Sequence, residues 1–320
     1  MDLSTYASEL NKSAHKYKKQ LMKLPSVGIE EAVKYMTPFP GVTYKQTVGE
    51  IFADAELRPY DGNNNAAETS EIKDRTLETF LGSCVELFDP NQLRQTLYAT
   101  LQAHSDTIKD AEIKRAMLFA VMDSVLAKLN GNLWSATRND SGTTTSELFN
   151  GFDTITGTEK GAGNIAAQKD NYLSLDAAID SNNAYDQLKE IYRKASDELK
   201  AQRSFMFVPF GVSEAYDDDY LTTVGSVPYN NKFEKRFVEG SNGRCEIVPL
   251  VGKASSNYIH VTTKQNLMYG YGAGVQNENI EIRRGDNAFK LQLILAMFFG
   301  VQFATLNKKR LFVAEMVSST

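Results

Sequence analysis

Four carboxylates fall close together at Glu214, Asp217, Asp218 and Asp219, and clustered acids are what a two-metal hydrolytic centre requires. Three of them are consecutive, however, so their side chains splay apart, and no second acidic motif stands ready to complete a ligand set. Ser213-Glu214 also fits the start of a short helix, where acids favour the dipole. The acids are read as such. A metal-dependent hydrolase using Glu214, Asp217 and Asp219 is kept as the enzymatic alternative. His15, His104 and His260 sit on unrelated elements with no metal-ligand spacing, and His260 lies in a strand pattern, as a satisfied sheet histidine would. Cys84 and Cys245 are far apart with no CxxC and read as reduced, buried thiols. No phosphate-cradling GxxxxGK[ST] loop and no GxSxG elbow occurs. Gly270, Gly272 and Gly274 in YGYGAG have the wrong spacing for a dinucleotide turn and read as a plain turn. No catalytic residue, cofactor or metal ligand is assigned, and the chain is not read as an enzyme.

The remaining charged motif is a lysine stripe. Leu3–Leu24 has an apolar seam at Leu3, Ala7, Leu10, Ala14, Tyr17, Leu21 and Leu24, with Ser4 as N-cap and Pro25 closing the segment. Lys12, Lys16, Lys19 and Lys23 form a second stripe on the same predicted helix, either an ordinary solvated face or one turned to a polyanion. The whole chain has a net charge of −5, so only such a local patch could meet nucleic acid. The N-terminus lacks the apolar core of a signal peptide, and the longest apolar stretch, Leu291–Phe303, is shorter than the roughly 20 residues of a membrane helix. A soluble cytosolic product is expected.

The elements that would position these residues are dominated by one long β-hairpin, Val48–Leu87. Its outgoing limb alternates Ile51, Ala53, Ala55 and Leu57 with Glu50, Asp54, Glu56 and Arg58. The tip, with Asp61, Gly62, Asn63, Asn64 and Asn65, is polar and turn-forming, and the return limb carries Leu77, Phe80, Leu81 and Val85. A strand of about 12 residues spans roughly 40 Å, against a radius of gyration of about 20 Å for a chain of this size. A lone hairpin is marginal in water, so another copy of the chain is expected to support this arm.

Pro38, Pro40 and Gly41 mark an extended connector before the arm. After it, a helix from Pro90 to about Ala103 precedes the strongest helical pattern, Ala111–Leu129. That helix is capped by Asp110, stopped at Asn130-Gly131, and apolar on all sides from Ala116 to Met122. Asn132–Gly157 reads as polar loop around Trp134. A second, α/β unit is expected over Leu173–Val275, with one helix at Ala184–Gln202, strands at Ser204–Val208, Cys245–Val251 and Tyr258–Thr262, and an irregular loop at Tyr220–Gly243. Period-two alternation from Phe289 to Phe303 predicts a long strand, turned at Asn307–Lys309 into a last strand, Leu311–Val317.

This order of elements resembles the major capsid protein of tailed bacteriophages, the Hong Kong 97 fold family. The run LNGNLWSATRNDSGTTTSELFNGFDTI is similar to that family's segment after its spine helix, and HVTTKQNLMYGYG to its strand-to-helix step before the closing strands. The resemblance implies an α+β chain with an N-arm (1–42), an extended loop (43–89), a peripheral domain (90–157 and 279–320) and an axial domain (158–278). It implies a structural subunit that assembles as hexamers and pentamers into an icosahedral shell around double-stranded DNA, made in the host bacterial cytoplasm. Portal and possibly scaffold or cement proteins would be its partners, with no membrane. Lys12, Lys16, Lys19 and Lys23 would face the interior with nonspecific phosphate contacts, and Asp61–Asn65 would touch a neighbouring subunit. An encapsulin-like nanocompartment is the alternative within the same architecture.

Overall fold

A computed structural model of the chain describes residues 34–53, 70–88, 110–225, 236–273, 280–284 and 290–317. The lysine stripe, the arm tip, the helix expected from Pro90, His15 and His104 lie outside the described residues. In chain order the strands are β1 (Thr37–Pro40), β2 (Lys45–Ala53), β3 (Ser70–Glu78), β4 (Phe80–Phe88), β5 (Tyr172–Ser174), β6 (Ser204–Val208), β7 (Arg236–Phe237), β8 (Cys245–Pro249), β9 (Tyr258–Thr262), β10 (Leu267–Ala273), β11 (Ile280–Arg284), β12 (Leu291–Phe303) and β13 (Leu311–Glu315). The helices are α1 (Asp110–Asn132), α2 (Phe152–Gly161), α3 (Ala184–Lys194), α4 (Asp197–Ala201) and α5 (Phe210–Val224).

The predicted long strand is the axis of the first sheet. Its 13 residues form β12, with β10 and β11 paired antiparallel along one edge and β4 along the other. Strand β1 adds parallel to β10. The second sheet runs β5-β13-β9-β6-β8-β7. Alternation along its strands feeds two cores. Phe205 and Phe207 of β6 face a core shared with α1, α2 and the first sheet, whereas Met206 and Val208 face one shared with α3 and α5. The last strand does not return to β12. Leu311 and Val313 enter the first core, Phe312 and Ala314 the second, so β13 sits between β5 and β9 in the second sheet.

The arm is a separate two-stranded sheet, with β2 and β3 in continuous register from Lys45↔Glu78 to Ala53↔Ser70. The return limb, expected as one strand, is two. It breaks at buried Thr79, after which β4 joins β12 with Phe80 opposite Phe299. Leu81, Val85 and Leu87 leave an apolar row exposed on one face of β4.

Other expectations also change. Helix α1 continues through Gly131 to Asn132 instead of stopping at the glycine, and the Asn132 side-chain amide donates to the Lys128 carbonyl at 2.7 Å. Its C-terminal half buries one stripe, Met122, Leu126 and Leu129, while Ala120 is exposed, so it is not apolar-packed all round. The loop around Trp134 yields α2, whose threonines and glycines hid its period. The single helix expected over Ala184–Gln202 is broken between α3 and α4, where Ser196 accepts from Leu199 N at 3.2 Å and donates to Lys308 O at 2.8 Å. Residues 220–224 are helical in α5, not loop. YGYGAG is largely strand β10, not a turn, and HVTTKQNLMYGYG passes from strand to strand through a short 3-10 turn, Lys264–Asn266.

Candidate functional site at the root of the arm

The chain leaves the body beyond Val42 to form the arm and returns to it at Thr79. Thr79 N donates to Tyr44 O at 2.7 Å, and Thr79 Oγ1 to Val42 O at 3.3 Å. Tyr44 takes a left-handed backbone, φ +72°, an uncommon state for a bulky residue, and its ring meets Phe298 edge-on at 5.0 Å. Lys45 and Glu78 close the ladder with an ion pair of 2.5 Å.

The root lies on a floor of glycines. Gly270 and Gly300 are cross-strand partners in β10 and β12. A Cβ on Gly300 would stand 2.0 Å from Glu78 O, and one on Gly272 would stand 2.5 Å from Val42 O. On Gly270 it would meet Thr79 Cγ2 at 2.8 Å and Leu77 Cδ2 at 3.0 Å. At Gly272 and Gly300 glycine is required for the close approach of a second backbone, whereas at Gly270 it makes room for side chains. Leu77, fully buried, points into this seat.

Arg75 then ties the arm to the body. Its Nη2 donates to Glu159 Oε1 of α2 at 2.8 Å and to Gln302 Oε1 at 3.0 Å, and its Nε donates to Phe303 O at 3.1 Å. Gln302 Nε2 answers by donating to Thr76 O at 3.2 Å. The pair Arg75–Glu159 is largely buried, with 14% and 19% of the side chains exposed. A guanidinium serves well here because its rigid fork meets three acceptors at once. Beside it lies a cavity of about 290 Å³ lined by Asp74, Arg75, Glu78, Ile155 and Glu159.

A second polar constellation lies in the core. Lys253 is fully buried, donating to Asp153 Oδ1 at 2.9 Å and Ser256 Oγ at 3.0 Å, and standing 4.0 Å from the centre of the Trp134 ring. Thr156 Oγ1 donates to Phe152 O at 2.8 Å, so it must accept from His260 Nε2, also at 2.8 Å. The lone pair on His260 Nδ1 is thereby left to accept from Lys253 Nζ at 3.2 Å. Burial, and then the Lys253 charge, hold the His260 pKa well below its ordinary value. Burial also lowers that of Lys253, which Asp153 partly offsets. Lys253, Thr156 and His260 find their partners within the cluster, whereas Asp153 Oδ2 and Trp134 Nε1 are buried with no hydrogen-bond partner among the described residues, and the cluster joins α2 to β9 and to the turn Val251–Lys253.

The acidic cluster does not converge. Asp219 is buried and its Oδ2 accepts from Tyr185 N at 2.7 Å, capping α3 where Asn183 was expected to; Asn183 instead bonds Asp180 N and Ala178 O. Asp217 pairs with Arg236, and Glu214 and Asp218 are exposed. Among the described residues no group of three or more His, Cys, Asp or Glu side chains is arranged to hold a metal ion. Cys245 is buried and Cys84 half-buried, both as free thiols. Arg75, Glu159 and Gly300 were not singled out from sequence. The available signal was glycine inside a strand pattern, at Gly270, Gly272 and Gly300.

No protein-family model and no curated protein matches the sequence. Solved structures do match over most of the chain. The satellite phage P4 procapsid is 10% identical with a TM-score of 0.58, covering 94% of this chain and 91% of that one. The capsid of the native GTA particle is 12% identical with a TM-score of 0.56, covering 91% of each chain. The holo-SrpI encapsulin complex from Synechococcus elongatus PCC 7942 is 11% identical with a TM-score of 0.52, covering 89% of this chain and 86% of that one. With its mixed α/β sheets and its hairpin arm seated on a glycine floor, the chain has the tailed-phage major capsid fold, which encapsulin shells share.

Proposed function

We propose that this chain is the repeating structural subunit of a closed protein shell, the head of a tailed phage enclosing double-stranded DNA. The observation that carries the reading is the arm, a paired ladder of nine residues on each limb, fixed at its root to a body of capsid fold. Nine residues at ~3.3 Å each reach about 30 Å, far enough to lie across a neighbouring copy. The exposed row Leu81, Val85 and Leu87 is a surface that assembly would cover. In this reading residues 1–42 are the N-arm, 43–89 the extended loop, and the two sheets anchor peripheral and axial domains in hexamers and pentamers of the Hong Kong 97 type. Asp61–Asn65 touch a neighbour, and Lys12, Lys16, Lys19 and Lys23 make phosphate contacts on the inner surface. Portal and scaffold or cement proteins complete the particle, which assembles in the host cytoplasm.

The test is to express the chain alone, image it by electron microscopy, and then analyse particles recovered from its native source. Shells, tubes or capsomer rings, with nuclease-protected double-stranded DNA in the native particles, are expected. A dispersed monomer at high concentration would overturn the shell reading. Shells that hold protein cargo and no DNA would replace the phage head with a nanocompartment, the second reading that the encapsulin match favours. Changing the four lysines to Gln should flatten the salt dependence of DNA association by about one logarithmic slope unit per lost contact.

A further inference from the structure

Helix α2 has two working faces. At 100° per residue, Asp153, Thr156 and Lys160 share one side, and Ile155 and Glu159 the adjoining side, centred about 100° round the helix. The first side is bonded to the second sheet. Asp153 accepts from Lys253, Thr156 from His260 of β9, and Lys160 donates to Glu315 of β13 at 2.5 Å. Tyr172 of β5 also donates to Glu315, and these bonds outweigh burial to hold the Glu315 carboxyl below its usual range. The adjoining side holds the arm. Glu159 accepts from Arg75 through Oε1 and from the Asn164 side chain through Oε2 at 2.7 Å, so both carboxylate oxygens are engaged. A cavity of about 290 Å³ at Ile155, Glu159 and Arg75 leaves room on the arm side.

We infer that α2 is a coupling element, with Arg75 as the positioning residue of the arm, so that the arm's direction and the second sheet shift together. Glu159 and Lys160 are sequence neighbours bonded to different bodies. Displacing the helix toward one partner strains the bond to the other, because a helix moves as a rigid unit. A contact made by one subunit's second sheet would thus bias where its arm points. The mechanical claim concerns the single chain; its consequence for shell geometry rests on the proposed function.

Hydrogen–deuterium exchange on the dispersed full-length chain tests the coupling. Lys160→Met with Glu315→Gln breaks the sheet end without touching the arm, and amide exchange at residues 45–48 and 75–78 should rise by about tenfold, the scale of one lost charged hydrogen bond. Glu315→Gln alone, which keeps an acceptor, should give a smaller rise in the same amides. Arg75→Lys keeps the charge and loses the fork, and should match the double variant at the arm root. Unchanged arm-root exchange in the sheet-end variants would overturn the coupling, and full protection in Arg75→Lys would overturn the positioning role. Particle diameter under electron microscopy is then compared between Arg75→Lys and the wild type. A wild type that forms no shells defeats the functional reading and leaves the exchange result standing.

Discussion

Replacing Gly300 by Ala should lift the arm off the body. The added Cβ would lie 2.0 Å from Glu78 O, 3.0 Å from Glu78 C and 3.1 Å from Thr79 Cα, whereas ordinary contact begins at 3.4 Å. The overlap with the carbonyl oxygen is therefore about 1.4 Å. All three atoms are backbone, held by the Lys45–Glu78 rung and the Thr79–Tyr44 hydrogen bond, so no side-chain rotation relieves it. Overpacking of this kind costs about 1–3 kcal/mol, and a rigid backbone partner puts Gly300→Ala near 3 kcal/mol. At roughly 2–4 °C per kcal/mol for a chain of this order, Tm should fall by about 6–12 °C. The glycine floor supplies an internal ranking. Gly272→Ala meets a carbonyl at 2.5 Å and should fall next, and Gly270→Ala, meeting only side-chain carbons at 2.8 and 3.0 Å, should fall least. Gly161→Ala, with nothing within 4 Å at the end of α2, should stabilise slightly, by about 0.5 kcal/mol. Thermal unfolding with assembly scored by electron microscopy gives both readouts. A Gly300→Ala protein that melts with the wild type and assembles normally would refute the seat, as would a series ordered the other way.

Lys253→Met should cost about 3–5 kcal/mol by leaving Asp153 without its cation, and Asp153→Asn in the same chain should recover much of it; denaturant midpoints measure both, and Trp134 emission should shift because Lys253 lies 4.0 Å from its ring. His260 is held neutral, with its folded pKa depressed below the unfolded value near 6.5. Its contribution is intact above that value and is lost as pH falls below it, at up to about 1.4 kcal/mol per pH unit. Melting curves from pH 7.5 down to 5 should show this slope and His260→Gln should flatten it; equal slopes would reassign the dependence to carboxylates. If the proposed function is right, removing residues 61–69 should leave Tm within about 2 °C yet impair assembly. Normal shells without the tip would remove its role.

What was legible in the sequence followed from periodicity. Alternation from Phe289 to Phe303 pointed to the central strand, because burying one face of a strand leaves a period-two trace, and alternation on the outgoing limb, with a turn-forming tip after it, pointed to the arm. The acidic cluster was legible only in part. The splay of the consecutive aspartates was readable, but the cap that Asp219 places on α3 was not, since it joins residues 34 apart in the chain. The break at Thr79 was hidden for the same reason. EIKDRTLETFLGSCVEL keeps an unbroken strand composition, and only the tertiary partner changes, from β2 on one side of Thr79 to β12 on the other. Composition likewise sent α2 into a loop, its helical state being fixed by bonds to Lys253, His260 and Arg75 from three distant segments.

The arm and its root are encoded by opposite devices, which is why one was visible and the other was not. The arm is written in side chains that alternate. The root is written in side chains that are missing, at Gly270 and Gly300, where a Cβ would collide with the returning chain, and at Gly272, where it would collide with the outgoing chain at Val42. Position decides what each glycine means. In a tight turn glycine supplies a backbone conformation, whereas in β10 and β12 these glycines have no positive φ and supply only space. A turn reading of YGYGAG is thus the natural error of sequence reasoning, and its correction locates the seat. A cross-strand pair of glycines, Gly270 and Gly300, with Gly272 two residues on, marks where a second backbone crosses the sheet, and in this chain that crossing is where the body takes hold of the arm.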